Sequence, residues 1–353
     1  MGSKFIRAML ASFAVLGIAL AACSSDDTSS AGSATLKDVT DRGVLNCGVK
    51  DSQPGFGFMT PSGVMEGNDV EYCKAIAAAV LGDASKVKYV PASASARFDI
   101  LAAKEIDVLI RTTTWTASRD INLKTTFAHT TFYDGQGMMV KANSKFGKTS
   151  DLNGATICVT TGTTTEQNLE DFFADRGLAY TALAVANDAE SQAAFLQDRC
   201  DGWTGDKSNL AGQRSAYPVD GGGPAALRVL PDTLSKEPLG PVTREDDALW
   251  SQIVDWVVLG TILAEEFGVD SSNVAAQSAN PKNKDVARLL GAGAEPTEFN
   301  LGISATFMQD VISQVGNFGE IYAKTIEPIG LARAGSLNAS WKDGGLIYAP
   351  PMR

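Results

Sequence analysis

The chain has 353 residues, a formal net charge of −11 and 44% hydrophobic residues. That length suits two domains, and the apolar share is too high for general disorder. With no basic run in an acidic chain, a nucleic-acid partner is excluded, because phosphate contacts need clustered Lys and Arg.

Residues 1–22 read as a signal peptide. "KFIR" supplies positive charge, "AMLASFAVLGIALAA" is an apolar core of the right length, and small residues follow. The run ends in Leu20-Ala21-Ala22-Cys23, similar to a bacterial lipobox, which makes Cys23 the expected site of lipid attachment. Residues 23–36, rich in Ser and Asp, then form a lipidated polar tether. The opening Met-Gly is not a myristoylation signal, since Ile6 stands where Ser or Thr is needed. No later apolar stretch is long enough to span a membrane. Setting Cys23 aside leaves Cys47, Cys73, Cys158 and Cys200, an even number in an oxidising compartment. Two disulfides follow, with three connectivities open. With no CxxC and a single histidine, His129, neither a metal nor a cofactor is expected.

"GVLNCGVK" (43–50) reads as a strand. "DVEYCKAIAAAVLG" (69–82) is a helix with Cys73, Ile76, Ala77, Val80 and Leu81 on one face and Gly82 as its C-cap. "KVKYVPA" is a strand, "ARFDILAAKE" a short helix and "IDVLI" (106–110) a strand, so the order is β-α-β-α-β, as in a parallel sheet. "GQGMMVKANS" (135–144) reads as a crossing strand. The pattern then restarts with the strands "GATICVT", "YTALAVA" and "CDGWTGD" and the helices "QNLEDFFADRG" and "DAESQAAFLQDR" between them. "DDALWSQIVDWVVLGTILAEEFG" (246–268) is a long helix whose acidic start reads as a solvated cap, and "WKDGGLIYAPPMR" is an irregular end.

In open α/β sheets, ligands sit beyond the carboxyl ends of the strands. Polar loops stand at such ends at 50–58, 111–119, 161–166 and 204–208. "RTTTWTASRD" (111–120) offers Arg119, whose planar fork matches a carboxylate, with hydroxyls at Thr112 and Thr114. Thr163, Thr164 and Thr165 open a helix, where free N–H groups favour an anion. Asp206 supplies a negative charge for an ammonium. The plainer alternative makes the threonines helix caps and pairs Arg119 with Asp120; joint placement at strand ends favours a ligand. Nucleophilic catalysis is poorly equipped, with no GxSxG.

From about residue 37 to the end, the chain resembles the solute-binding proteins of amino-acid ABC uptake systems, bacterial extracellular solute-binding protein family 3, especially the general L-amino-acid-binding subgroup. "RTTTWTASRD", "YDGQGMMV", "ICVTTGTTTE", "CDGWTGDKSNL" and "YAPP" carry the resemblance. It implies a two-lobe type II periplasmic-binding-protein fold, an α/β Venus flytrap with a parallel-dominated sheet flanked by helices in each lobe. One lobe would hold 37–138 plus 237–353, the other 139–236. Arg119 would grip the α-carboxylate with the N–H groups of Thr114 and Thr164. Asp206 would take the α-ammonium, with the Thr112 carbonyl or the Thr114 hydroxyl beside it. Gln53, Phe56, Phe58 and Trp115 would line the side-chain end. The implied partners are an L-α-amino acid and the ABC permease and ATPase of the inner membrane, with no reaction catalysed and a periplasmic or cell-surface location. Cys47–Cys73 and Cys158–Cys200 are the pairs that fold implies. The competing readings are a dehydratase-like enzyme on the same fold, with Glu166 or Lys50 as its acid or base, and a tethered amino-acid sensor.

Overall fold

The computed structural model describes residues 32–293 and 299–353, so the leader and Cys23 lie outside the described residues. Its first helix, α1 (Ala34–Arg42), begins within the stretch expected to be tether. Ser33 caps it by accepting the Leu36 N–H at 2.9 Å. Asp247 accepts from the Ser33 hydroxyl and the Thr35 N–H at 2.9 and 2.8 Å, which pins the helix start to the body. Asp247 also caps the helix it precedes, taking the Trp250 N–H at 3.0 Å, and is buried, whereas Glu245 and Asp246 of the same acidic start are exposed as expected.

The first lobe opens with β1 (Leu45–Val49), followed by β2 (Ser52–Gln53), β3 (Gly57–Met59) and β4 (Met65–Glu66), which form a small antiparallel sheet of their own. Helix α2 (Asn68–Leu81) ends on Gly82, whose φ of 69° suits a residue without Cβ. Strand β5 (Val87–Pro91), helix α3 (Arg97–Ala102) and strands β6 (Val108–Leu109), β7 (Thr125–Phe127) and β8 (Phe132–Asp134) follow. β5 and β6 flank β1 in parallel. The one-sided face expected for α2 is an underestimate: nearly all of it is buried, and its small Ala side chains let it pack between β1 and later helices.

The second lobe holds β9 (Gln136–Lys141), β10 (Thr156–Thr160), α4 (Thr164–Ala174), β11 (Thr181–Val185), α5 (Asp188–Leu196), β12 (Gly202–Asp206), α6 (Lys207–Ser215) and β13 (Leu227–Val229). Its strand order is β11-β10-β12-β9-β13, with β10, β11 and β12 parallel and β9 antiparallel to β12. The chain returns through β14 (Glu237–Leu239), which pairs with β8, and β15 (Val242–Arg244), which slots antiparallel between β6 and β7. Each lobe thus repeats one plan: three parallel strands, then an antiparallel strand delivered by a crossing segment. The crossing itself is the two-stranded β8/β14 ladder, and Gln136 already pairs with Asp206 in the second sheet.

The closing helices α7 (Ala248–Glu266), α8 (Val274–Ala279), α9 (Lys284–Leu289), α10 (Phe307–Gln314) and α11 (Phe318–Thr325) enlarge the first lobe's core. Helix α7 has 19 residues and a mean hydropathy of 1.2, enough by length and apolarity to cross a membrane, contrary to the expectation above. It is a core helix, with its Trp250 indole N–H bonded to the Asp107 carbonyl at 2.9 Å.

Cys47 on β1 is bonded to Cys73 on α2, and Cys158 on β10 to Cys200 just before β12, as the resemblance implied. The loops span 26 and 42 residues. Closing them in the unfolded chain removes entropy equivalent to about 3.5 and about 4 kcal/mol. Removing one disulfide at a time, by Cys-to-Ser replacement of either pair, is expected to lower the melting temperature in each variant, and reduction of a variant should lower it once more, read by calorimetry.

Candidate functional site

The carboxyl ends of both sheets face one cavity of about 40 Å³ between the lobes. Arg119, Thr112, Thr114, Thr163, Thr164 and Asp206 all line it, so the structure brings these expected residues together.

Arg119 sits on a single π-helical turn, Ser118–Asn122. Its Nη1 donates to the Thr114 carbonyl at 3.0 Å, and its guanidinium lies over the Phe98 ring, 5.6 Å from the centroid. Asp120 does not pair with it; it accepts from the Trp115 indole at 3.1 Å instead. Burial holds the Arg119 pKa below its usual range, against the pull of Glu237 and Asp206.

Thr112 has φ of 41°, a left-handed conformation that is costly for a β-branched residue. Two partners hold it there: its N–H donates to Asp69 at 2.8 Å, and its hydroxyl to Gln53 at 3.4 Å. Burial raises the Asp69 pKa to about 6. Across the cleft, the Thr163 hydroxyl caps α4 by accepting the Glu166 N–H at 3.1 Å. The N–H groups of Thr164 and Thr165 in that first turn have no carbonyl four residues back to bond. Thr114 and Thr164 meet hydroxyl to hydroxyl at 3.4 Å, and Thr164 also donates to Glu237 on β14 at 2.9 Å.

Asp206 stands at the N-cap position of α6, yet its side chain makes no capping bond. Asp134, from β8, does that work by accepting the Ser208 N–H at 3.2 Å. The substitution leaves Asp206 Oδ1 enclosed and without a hydrogen bond among the described residues. Burial, then the charges of Asp134 and Glu237, push the Asp206 pKa well above the carboxylate range, with Lys50 and Arg119 pulling the other way. Burial also raises Asp134, to about 6.

The remaining expected residues sit elsewhere. Gln53 is fully buried behind the wall, where its Oε1 accepts from Lys50 at 3.0 Å. Phe56 belongs to the core, edge-on to Phe132 with centroids 5.1 Å apart. Phe58 lies half-buried on the small sheet. Trp115 is 44% exposed and stacks outward on Phe127. A loop side chain has no periodicity to betray its direction, which is why the aromatic next to the arginine motif misled.

Sequence reasoning missed two cations and an acid on the wall, Arg97, Arg111 and Asp188, and singled out a third cation there, Lys50, only as the acid or base of the competing enzyme reading. Lys50 and Asp188 form an ion pair across the lobes, with side chains only 10% and 2% exposed. Arg111 donates through Nε to the Ala92 carbonyl at 2.8 Å, and Arg97 through Nη2 to the Gly162 carbonyl at 3.5 Å. Neither has a carboxylate partner within ion-pair distance among the described residues. Burial lowers the pKa of both. Only Arg111 carried a legible signal, its place straight after a predicted strand.

The model of the bacterial extracellular solute-binding proteins, family 3, matches residues 45–282. The chain is 44% identical over 326 residues to the glutamate/glutamine/aspartate/asparagine-binding protein of Rhodobacter capsulatus, covering 92% of this chain and 94% of that one. It is 43% identical over 329 residues to the general L-amino acid-binding periplasmic protein of Rhizobium johnstonii, with the same coverage. Among solved structures, a periplasmic binding protein of Brucella ovis with glutathione bound superposes with a TM-score of 0.86 at 40% identity, over 90% of this chain and 99% of that one.

Proposed function

This chain belongs to the bacterial extracellular solute-binding proteins, family 3, and from that premise we propose that it is the exported receptor of an amino-acid ABC uptake system. It closes on one L-α-amino acid with an acidic side chain and hands it to a membrane permease with its ATPase. Arg119 holds the α-carboxylate, aided by the N–H groups at the start of α4. Asp206 holds the α-ammonium, with Thr112 and Thr114 beside it. The observation that carries the side-chain preference is the charge of the wall. With Lys50 paired to Asp188, and Arg119 and Asp206 assigned to the zwitterion, Arg97 and Arg111 are two buried guanidiniums with no carboxylate within ion-pair distance among the described residues. Arg111 feels the charges of Asp188, Asp206 and Asp69, and Arg97 that of Asp206, only from beyond ion-pair distance, so a ligand that brings a second carboxylate into direct contact with them is favoured. The Rhodobacter capsulatus relative is named for glutamate and aspartate together with glutamine and asparagine, a range that contains the acidic ligand without singling it out. The glutathione in the Brucella ovis protein also presents a free α-carboxylate and α-ammonium, so the same head-group cage suits it.

Binding is favoured over catalysis because the two acid–base candidates are engaged. Glu166 accepts the Gly162 N–H at 2.8 Å as part of its helix start, and Lys50 is tied to Asp188 and Gln53. A thermal-shift screen of ligand-stripped protein tests the reading. At 100 times its dissociation constant a ligand adds about 2.7 kcal/mol. L-glutamate or L-aspartate should give the largest shift, and 2-oxoglutarate none. An equal shift from the keto acid would sink the Asp206 role, and shifts confined to neutral amino acids would sink the role of the two arginines.

The proposed jaw, 32–134 with 237–353 against 136–235, must part to admit ligand. Gln213 donates to the Ser52 carbonyl across it at 2.7 Å, and Gly212 lies so close that a Cβ would come within 2.5 Å of the Pro54 carbonyl oxygen. Gly212→Leu is therefore expected to leave the ligand-free melting temperature unchanged or raised, because Leu favours helix. It should weaken binding by roughly tenfold or more, the cost of about 1.4 kcal/mol against closure. Calorimetric titration checks both halves. We further propose that Cys23 carries the lipid anchor. Cys23→Ser should move the protein from the membrane to the soluble fraction of lysed cells.

A further inference from the structure

The first two N–H groups of α6 are taken by the segment that crosses between the lobes. The Lys207 N–H donates to the Gly135 carbonyl at 2.8 Å, and the Ser208 N–H to the Asp134 carboxylate at 3.2 Å, from 74 residues away in the chain. A helix's own N-cap side chain ordinarily accepts from its second or third N–H, and aspartate is among the best at it. Asp206 occupies that position, opposite Gln136 in the sheet, yet its side chain makes no capping bond. Work that falls to Asp206 by position is done by Asp134 instead.

Asp134 is itself held in place. Glu237 pairs opposite it across the β8/β14 ladder, and the Asp134 carboxylate also accepts the Gly135 N–H at 2.8 Å. On the other edge of β8, the Asn338 side chain accepts from the Tyr133 N–H at 2.7 Å and donates to the Tyr133 carbonyl at 3.0 Å, as a neighbouring strand would. Asn338 is anchored in turn: its carbonyl accepts from Arg333 Nε at 2.9 Å, and Arg333 Nη2 donates to Glu265 on α7 at 2.9 Å. The C-terminal segment thus fixes the strand that carries Asp134. Asp134 does not line the cage, so it acts on a ligand there only through Asp206. Without an acceptor at Asp134, the Ser208 N–H would be left to the Asp206 carboxylate, the usual partner at that position, which would turn from the ligand to meet it. Resting on the Asp206 assignment above, we propose that Asp134 is the positioning residue of the ammonium site: it caps α6 in place of Asp206 and keeps that carboxylate for the ligand.

Asp134→Asn and Asp134→Ala separate the cap from the charge. Both remove the negative charge beside Asp206, and only asparagine can still accept from Ser208. The probe in titration calorimetry is L-glutamate, or L-glutamine where the acid does not bind. The asparagine variant should bind it within about threefold of wild type and the alanine variant about tenfold more weakly or worse. Their ligand-free melting temperatures should agree within about 1 °C, because Asp206 takes over the cap in the alanine variant. A purely structural cap would lower melting temperature and affinity together. The double variant Asp134→Ala/Asp206→Ala has neither acceptor, so it should melt about 2 °C or more below the sum of the two single alanine changes. Equal affinity of the two Asp134 variants, or additive melting shifts, overturns the proposal. Asp206→Asn binding as tightly as wild type overturns the ammonium assignment and the proposal with it. Loss of binding in Asp206→Asn, with equal affinities in the two Asp134 variants, spares the assignment and overturns the positioning alone.

Discussion

Replacing Asp206 with asparagine is expected to destroy ligand capture and, at the same time, to stabilise the ligand-free protein. The carboxylate is enclosed, unbonded at Oδ1, and repelled by Asp134 and Glu237. Its folded pKa lies above its unfolded value. At pH above the folded value the charge therefore costs stability, and protonation relieves that cost as pH falls. The neutral isostere removes the cost at neutral pH, which should raise the melting temperature by roughly 2 °C, the effect of about 1 kcal/mol in a chain of this size. For the ligand, one partner of a buried charge pair is lost, which costs about 2–5 kcal/mol, or roughly 30- to several-thousand-fold in affinity. The same site gives a pH signature. The ammonium needs the charged carboxylate, so binding below the free-state pKa releases a proton and affinity falls by about tenfold per pH unit there. The groups that set that window are Asp134, Glu237, Lys50 and Arg119. With burial holding the Asp206 pKa well above the carboxylate range, the wild-type affinity should decline on acidification through that raised pKa. Calorimetry in buffers of different ionisation enthalpy would count the released proton, and Asp206→Asn should release none. Binding by that variant within threefold of wild type would rule out the assignment.

Arg119→Lys is the second large effect. Lysine keeps the charge and loses the planar fork, so the change separates bidentate geometry from simple attraction. The wild-type guanidinium is oriented before ligand arrives, by the Thr114 carbonyl and the Phe98 face. A flexible ammonium has neither constraint. A loss of roughly 100-fold is expected for Lys, as a charge-assisted hydrogen bond of about 1.5–3 kcal/mol disappears. Arg119→Met should lose more. If Lys binds as tightly as Arg, the carboxylate is held elsewhere, and Arg111 becomes the next candidate.

Much of the architecture is legible in the sequence because the strands are apolar runs delimited by glycine and the helices carry regular spacing. "TICVT" and "GWTGD" fall where β10 and β12 lie, and the threonine loop after β10 sits at a carboxyl end, as the sheet rule requires. Helix α1 escaped because its polar residues match those of a tether, and only Asp247, more than 200 residues away, explains its order. The same holds for the site. Arg97 and Asp188 read as ordinary surface charges on short helices, and only closure of the two lobes brings them to one wall. Residues that recognise a ligand's head lie in loops with distinctive composition, whereas residues facing its tail are recruited singly from distant segments.

The threading of the chain also sets an order of assembly. The second lobe is one uninterrupted segment, and every strand of its sheet lies between Gln136 and Val229. The first sheet is incomplete until β15 emerges, and α2 lacks its outer neighbour until α10 does. A chain growing from its N-terminus therefore finishes the inserted lobe first, with Cys158 and Cys200 already available to pair, because domains fold as units during synthesis. The first lobe, by contrast, must keep its early strands from wrong partners across a loop of about 100 residues, and such non-local pairing is slow. Its rate-limiting event is the docking of late helices on an early nucleus, so a chain shortened at the C-terminus should yield a folded inner lobe inside an unfolded outer one.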